Sequence, residues 1–311
     1  MKALAAFVMR GPSQAALVAA VTALLSILVP PLGLLSAGSI GLVALRGGPV
    51  YGLFVSAVAT LGMGAIAWLA LGSPLPALGV LLMLWVPILA LALLLRYSRS
   101  LALTLQTAGA LGILLMLSAY ALMGDPSETW LKILEPFRDA LVKDGVLDDP
   151  ASAAVFAELA GWMTGAFAAA LVTQLLFGLF IARWWQALLY NPGGFGEEFR
   201  ELRLGRAFGV LVLLLLALLP FGEGASLTAN LLLVPGVLLL FQGLAVAHQV
   251  RALKQARQAW LVGLYAAVIF FMPQTLLLIA CIGLVDIWAD IRSRVAPAAP
   301  PPGSGPSGPA V

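Results

Sequence analysis

The sequence has very little of the chemistry that most catalytic or metal sites need. Its 311 residues contain one cysteine, Cys281, and one histidine, His248. A lone cysteine cannot form an intrachain disulfide, and one cysteine with one histidine cannot supply a zinc ligand set. The glycine-rich turns carry no Lys-Ser/Thr phosphate-binding pattern. We therefore predict no enzymatic activity, no metal and no cofactor, although a carboxylate site assembled from distant acids stays open.

Charge is also scarce, and this excludes an ordinary soluble domain. Only 10% of the residues are charged and 62% are hydrophobic, against about 25% and about 45–50% in a typical soluble domain. Such a chain requires lipid as its main solvent. No basic tract of the kind that binds nucleic acid is present. The composition predicts an all-α, polytopic transmembrane helical bundle whose first partner is the lipid bilayer.

The hydrophobic residues fall into ten apolar segments, several of them shorter than the about 20 residues of a comfortable span. The segments are Ser13–Val29, Leu32–Leu45, Val50–Leu71, Leu75–Leu95, Leu101–Met123, Glu158–Ala182, Ala207–Pro220, Ala225–Ala247, Trp260–Met272 and Gln274–Asp290. Proline cannot continue a helix without a break, so Pro30-Pro31 and Pro273 are predicted to divide short hairpins at the two ends of the chain. The count is therefore about eight full spans, or up to ten segments. Whether 13–45 and 259–291 each cross the membrane twice is left open.

The positions of the basic residues predict how the chain is oriented. All but three of the 17 lysines and arginines lie in short clusters between apolar segments. The exceptions are Lys132, Arg138 and Lys143, in the polar stretch from Asp125 to Glu158. With ten segments, the clusters all fall on one side, which the positive-inside rule identifies as the cytoplasm. This predicts a multi-pass membrane protein with both termini cytoplasmic.

The predicted organisation is one integral membrane helical domain, 1–295, followed by a disordered, Pro- and Gly-rich tail, 296–311. An external amphipathic insertion, 125–157, interrupts the domain, because apolar residues recur there at helical spacing. This insertion is expected to cap the bundle, or to form a lid over a binding site. A cytoplasmic interfacial loop and helix is expected at 191–206, with Gly196–Arg206 helical.

Two groups of polar residues are candidate sites. The first is a docking surface for a partner, in the 191–206 loop: Asn191, Gly193, Glu197, Glu198, Arg200 and Arg203. The second is a set of polar groups inside or beside apolar segments that could bind a ligand: Gln106, Gln174, Asn230, Gln274 and Asp286. An ionisable group inside a membrane segment is a functional candidate by default. The alternative is that the loop only connects two spans, and that the amides only bond neighbouring helices.

Three stretches of the sequence resemble a known family. They are LLSAGSIGLVALRGGPVYGLFV from Leu34, NPGGFGEEFRELRLGR from Asn191 and GLVDIWADIRSR from Gly283. On these motifs the chain resembles the DUF2232 (YybS-like) family of bacterial integral membrane proteins, over most of residues 13–294. That family is distantly similar to the substrate-binding S components of energy-coupling-factor transporters. The resemblance implies a protein of the bacterial inner membrane, and a helical bundle that holds a small molecule near its outer face.

Two hypotheses about function follow. In the first, the protein is transport-related, binds a small molecule or lipid within the bundle, and works with a membrane or cytoplasmic protein partner. Because the sequence has no ATP-binding motif, energy would come from that partner. In the second, the protein is a non-catalytic membrane scaffold that recruits a partner through the 191–206 loop and helix. A polar cavity lined by the candidate amides would favour the first hypothesis, and amides bonded within a solid core would favour the second.

Overall fold

The computed structural model describes residues 1–146, 149–220 and 225–295, and every regular element in this part of the chain is helical. The predicted all-α fold is therefore confirmed. The predicted tail, 296–311, lies outside the described residues. The helices are α1 (Lys2–Val8), α2 (Pro12–Leu25), α3 (Leu32–Leu71), α4 (Leu75–Val80), α5 (Val86–Ser98), α6 (Leu101–Met123), α7 (Pro126–Lys143), α8 (Asp149–Tyr190), α9 (Gly194–Arg200), α10 (Arg206–Leu218), α11 (Ala225–Leu253), α12 (Ala259–Phe270), α13 (Met272–Ala289) and α14 (Ile291–Val295), with a π-helical turn, Leu81–Trp85, joining α4 to α5.

The number of apolar segments agrees with the sequence pattern. In the described part of the chain, six helices are long and apolar enough to cross a membrane, and three shorter apolar helices accompany them, namely α2, α10 and α12. One of the six, α3, is bent at Gly48, where the backbone has φ 81° and ψ −170°. Counting its two halves separately gives the ten segments that were predicted. Their membrane boundaries follow from length and composition alone.

The bend in α3 is a sharp reversal. The Cβ of Ala44 lies 3.4 Å from where a Cβ on Gly52 would be, although residues eight apart in a straight helix are separated by about 12 Å. The guanidinium of Arg96 donates a 2.7 Å hydrogen bond to the carbonyl of Leu45, just before the bend. Arg96 therefore satisfies a carbonyl that the break in the helix leaves exposed.

The hairpins predicted at the two ends of the chain are also present. Near the N-terminus, the Ser36 hydroxyl donates to the Ala19 carbonyl at 2.8 Å, which pairs α3 with α2. Near the C-terminus, the Thr275 hydroxyl donates to the Ala267 carbonyl at 3.0 Å. These two residues are also eight apart, so α12 and α13 must turn sharply at Phe271. The proline-based prediction of both breaks is confirmed.

Side-chain contacts gather several chain segments at one end of the bundle, which we call the basic end. The Arg46 guanidinium lies 3.9 Å from the centre of the Tyr190 ring, so the bend in α3 meets the end of α8. The guanidinium of Arg203 lies 2.9 Å from the Asp290 carboxylate, at the end of α13. Arg46 and Arg203, from two of the predicted basic clusters, thus lie at one end. That this end faces the cytoplasm remains a prediction.

The opposite end of the bundle carries the polar insertion. Helix α8 has 42 residues and is therefore about 63 Å long at about 1.5 Å per residue. This length is roughly double the thickness of a hydrocarbon core, which is about 30 Å. Helix α7 lies along the N-terminal half of α8, where the Trp130 indole donates to the Thr164 hydroxyl at 2.9 Å and its ring contacts Phe167. The insertion is therefore a helical hairpin that extends the bundle at this end.

Small residues allow the closest helix contacts. A Cβ on Gly178 would lie 2.5 Å from the Cβ of Ala37, so α8 and α3 pack with almost no space between them. On α11, a Cβ on Gly243 would collide with the backbone carbonyl of Ile279 on α13. Close backbone approach through small residues is how helices associate in lipid, where no hydrophobic force drives them together.

Candidate functional site

The loop after α9 is extended, and the interior of the bundle holds it in place. Helix α9 ends at Arg200, six residues before the predicted end of this helix, and residues 202–205 have no regular secondary structure. Leu202 and Leu204 are 2% and 3% exposed, whereas the side chain of Arg203 is 53% exposed. This alternation is the period of an extended chain, not of a helix. The difference from the prediction arises because both leucines are buried.

Arg292 donates hydrogen bonds to carbonyls of this extended loop, which has no regular secondary structure to satisfy them. Its guanidinium donates to the carbonyls of Arg200 and Leu202, both at 2.8 Å. It also donates to the carboxylate of Asp286 at 2.6 Å. Arg292 is only 4% exposed, so these bonds form away from water, where unpaired carbonyls would be costly.

Two glutamine side chains hold the next peptide of the loop. Gln106 of α6 donates to the carbonyl of Leu204 at 2.6 Å. Gln242 of α11 accepts from the amide of Leu204 at 2.9 Å and donates to the Gly283 carbonyl at 3.0 Å. The peptide of Leu204 therefore obtains from side chains the bonds that a helix or sheet would normally provide. We call Gln106, Leu204, Gln242, Asp286 and Arg292 the clasp.

Asp286 is the acidic centre of the clasp. It is 2% exposed and accepts hydrogen bonds from Arg292, from Gln242 at 3.3 Å and from the amide of Ile291 at 3.1 Å. Its neighbour on the same helix face, Asp290, lies at the surface and pairs with Arg203. The hydrogen bond from Arg203 lowers the pKa of Asp290 below its usual value. Asp286 therefore holds Arg292 and Gln242, which bind the loop from inside, and Asp290 binds Arg203 of the loop from outside.

A second attachment connects α9 to α8. The Glu198 carboxylate accepts a 2.7 Å bond from the Arg183 guanidinium, and both side chains are about one-fifth exposed. Burial raises the pKa of Glu198, and the adjacent Arg183 opposes this by lowering it. Four phenylalanines pack beside this pair, in contacts that join α8, α9 and α11: Phe180, Phe195, Phe199 and Phe241.

The structure divides the predicted docking residues into two groups. Asn191, Gly193 and Glu197 are exposed on the basic end. The others are bound to the bundle, Glu198 to Arg183 and Arg203 to Asp290, and Arg200 through its carbonyl to the clasp. The loop is therefore held rigidly and presents only part of the predicted surface.

The predicted ligand-binding residues do not converge on one cavity. Gln106 and Asp286 belong to the clasp. Asn230 bonds the α8 backbone, accepting from the amide of Gly165 at 2.6 Å and donating to the carbonyl of Gly161 at 2.7 Å. In a regular helix those two groups would bond each other.

The remaining two candidates lie elsewhere. The amide nitrogen of Gln174 is 3.3 Å from where a Cβ on Gly33 would be, near the turn that joins α2 to α3. Gln274 is exposed at the start of α13. These positions are far apart along the chain, and the two side chains line none of the large cavities in the described part of the bundle.

A large cavity in the described part of the chain is an apolar groove, which the sequence pattern did not predict. It has a volume of about 600 Å³ and lies between α8, α10, α11 and α13. Its walls are almost entirely aliphatic and include Ala166, Leu216, Gly236, Leu240 and Cys281. Such residues look like ordinary lipid-facing positions in a sequence. A Cβ on Gly236 would have no atom within 4 Å, so this glycine borders open space.

A second cavity lies on the other side of α10 and adjoins the clasp. It has a volume of about 450 Å³ and lies between α6, α10 and α11. Gln106 and Thr107 give this cavity a polar edge, and Phe208, Leu211 and Leu238 line its apolar part. The two cavities, one apolar and one with a polar edge, are therefore separated by α10.

Comparison with known proteins gives one match. No curated protein and no solved structure matches the chain, and the expected similarity to transporter S components stays a prediction. Residues 160–287 match the DUF2232 family, described as a predicted membrane protein, and this confirms the resemblance to that family over these residues. The matched part holds most of the four helices around the groove and three residues of the clasp.

Proposed function

We propose that this protein is a non-catalytic, transport-related membrane protein that holds the hydrocarbon chain of a lipid in its apolar groove and acts with a protein partner. The observation that carries the proposal is the groove itself, about 600 Å³ of space with aliphatic walls between four helices. The groove is open to the lipid side along exposed wall residues such as Leu277. Ligand pockets in proteins are commonly about 300–1,000 Å³. The groove is therefore large enough for a ligand and suited to an apolar one.

The positions of the amides argue against a polar ligand. A polar molecule held inside the bundle would need several free hydrogen-bonding groups around one cavity. The amides of Gln106, Asn230 and Gln242 are instead bonded to backbone groups. The carboxylate of Asp286 already accepts hydrogen bonds from Arg292 and its other donors. Of the ligands considered, a lipid is consequently the better match.

The test is photochemical labelling with a defined probe. Purified protein in nanodiscs would receive a phospholipid that carries a diazirine in one acyl chain, and the labelled peptides would be mapped by mass spectrometry. Labelling concentrated on groove residues such as Leu216, Leu240 and Leu277 is expected. Labelling spread evenly over all lipid-facing helices would overturn the proposal.

A glycine pair provides matched variants for this test. Gly236→Phe would place a ring at the wall of the groove, and its Cβ would meet no atom within 4 Å. Gly263→Phe is the control, since Gly263 of α12 is equally open but lines no wall of the groove. We expect Gly236→Phe to reduce groove labelling at least fivefold and Gly263→Phe to leave it unchanged.

Recruitment of a partner by the basic end is the second candidate function. The clasp holds the 191–206 loop rigidly, and Asn191, Gly193 and Glu197 are exposed on it. Glu197→Lys with Asn191→Arg would change this surface without altering the clasp. Loss of a co-purifying protein in this variant would support the scaffold hypothesis, and unchanged co-purification would count against it.

A further inference from the structure

A further cavity lies along one face of α12, away from the apolar groove. It has a volume of about 540 Å³ and shares no lining residue with the groove. One wall residue, Arg251, belongs to α11. The others recur at helical spacing along α12 and include Gln258, Val262, Ala266, Ile269 and Phe270. We call this surface, with Arg251 at its polar end, the α12 face.

The α12 face has the length of one leaflet of a bilayer. Gln258 and Phe270 are 12 residues apart, or about 18 Å along a helix, and half of a hydrocarbon core is about 15 Å. Trp260, at the start of α12, is 46% exposed and is of the residue type that lies at the level of lipid headgroups. Near the other end of this turn, His248 of α11 contacts Phe199 of α9, at the basic end. The α12 face therefore starts at the surface of the basic end and extends into the membrane.

The polar end of the α12 face carries positive charge that no acid balances. Arg251, Lys254 and Arg257 lie in the last turn of α11 and in the turn that follows it. The sequence contains no aspartate or glutamate from residue 224 to residue 285. Among the residues that the structure describes, none of the three cations forms an ion pair. Three unpaired cations at the surface of a membrane attract an anionic ligand.

Arg251 connects this charge to the apolar surface. Its Nε donates to the carbonyl of Ala256 at 3.1 Å, which holds the guanidinium at the turn. Its terminal nitrogens form no hydrogen bond with any described residue. Next to Arg251, a ring nitrogen of His248 lies 2.8 Å from the Tyr265 hydroxyl, and this contact joins α11 to α12. Arg251 is therefore fixed at the wall of the cavity and has N–H groups available for a phosphate.

We propose that the α12 face binds an anionic phospholipid, with its phosphate at Arg251, Lys254 and Arg257 and its acyl chain along α12 toward Phe270. Basic pockets beside membrane helices are a known way to bind acidic lipid headgroups. A symmetric dimer through this face would instead bring two copies of the same basic cluster together, which repulsion between like charges opposes. The site recognises a headgroup, whereas the apolar groove accepts only hydrocarbon, so this inference does not rest on the proposed function.

Native mass spectrometry of the purified full chain would test the proposal with phosphatidylglycerol and phosphatidylcholine of identical acyl chains. We expect the unmodified protein to bind phosphatidylglycerol at least tenfold more tightly. Each basic residue near an acidic headgroup contributes about fivefold in affinity. Arg251→Gln with Arg257→Gln should therefore lower the affinity for phosphatidylglycerol at least tenfold and leave that for phosphatidylcholine unchanged. The matched control is Arg99→Gln with Arg294→Gln, because both arginines are exposed and line no wall of this cavity.

A third variant separates charge from structure. Arg251→Lys with Arg257→Lys keeps both charges but removes the guanidinium that bonds Ala256, and it should keep the preference for phosphatidylglycerol. Loss of the preference in this variant would assign Arg251 a structural role only and overturn the proposal.

Four other results would also overturn it. They are equal binding of the two lipids by the unmodified protein, a preference that the glutamine variant retains, an equal loss of preference in the control, and displacement of phosphatidylglycerol by inorganic phosphate at the same concentration. A dimer that forms only when phosphatidylglycerol is excluded would assign the face to a second copy of the chain. None of these results affects photolabelling of the apolar groove, so the proposed function is tested separately.

Discussion

Replacing Arg292 with methionine is the most direct test of the clasp. This change removes the buried ion pair with Asp286, whose side chain is 1% exposed, and two hydrogen bonds to loop carbonyls. The carboxylate left behind retains only Gln242 and the amide of Ile291. Removing one partner of a buried pair typically costs about 3–5 kcal/mol. We expect Arg292→Met to lower the free energy of unfolding by about that amount.

A second substitution should restore part of the loss. In the Arg292→Met background, Asp286→Asn removes the unpaired buried charge. It does not restore the two hydrogen bonds to the loop carbonyls. Hydrogen bonds to charged groups contribute stability of their own. The double variant should therefore be more stable than Arg292→Met and less stable than the unmodified protein. Partial recovery would separate the charge from the loop contacts.

Two assays would measure these effects. Unfolding in mixed micelles gives the free energy, and limited trypsin digestion reports the loop directly, since Arg200, Arg203 and Arg206 lie within it. The control is Arg294→Met, because Arg294 is exposed and two residues away. If Arg292→Met unfolds and is cleaved at the same rate as this control, the clasp does not hold the loop.

Three further predictions follow from the packing, the charges and the topology. Gly243→Ala should lower the free energy of unfolding by about 1–3 kcal/mol, because a Cβ there meets the Ile279 carbonyl. Gly236→Ala on the same helix should leave this free energy unchanged, and unfolding in micelles compares the two variants. Because the pKa of Glu198 is raised in the folded protein, this residue stabilises the fold most below its usual pKa, and the stabilisation is lost as the pH rises through the raised pKa. Arg183→Gln should raise the pKa of Glu198 further. NMR of labelled glutamate measures this, and an unchanged pKa would mean that the contact is absent. In a Cys281→Ser background, Glu197→Cys should react with an impermeant maleimide only from the cytoplasmic side, and Glu128→Cys only from the outside. If both cysteines react from the same side of the membrane, the predicted orientation is wrong.

The sequence determined the class of fold and the positions of its breaks. Only helices and closed barrels can span lipid. Apolar segments of this length therefore predicted helices. Prolines at 30, 31, 49 and 273 lie where the segments divide, because proline removes a helical hydrogen bond. Proline alone does not decide where a helix ends, since Pro235 lies inside α11. The grouping of arginines at one end followed from spacing alone, since each apolar segment returns the chain to the other side.

Contacts between distant residues were decided only by the tertiary structure. Gln106, Gln242 and Arg292 meet at the loop around Leu204, although 186 residues separate the first from the last. Sequence pattern marked Gln106 and Asp286 as polar groups inside apolar segments but could not show that other protein groups satisfy them. The apolar groove had no signal for a related reason. A residue that faces a cavity and one that faces lipid have the same composition, and only the arrangement of the helices distinguishes them.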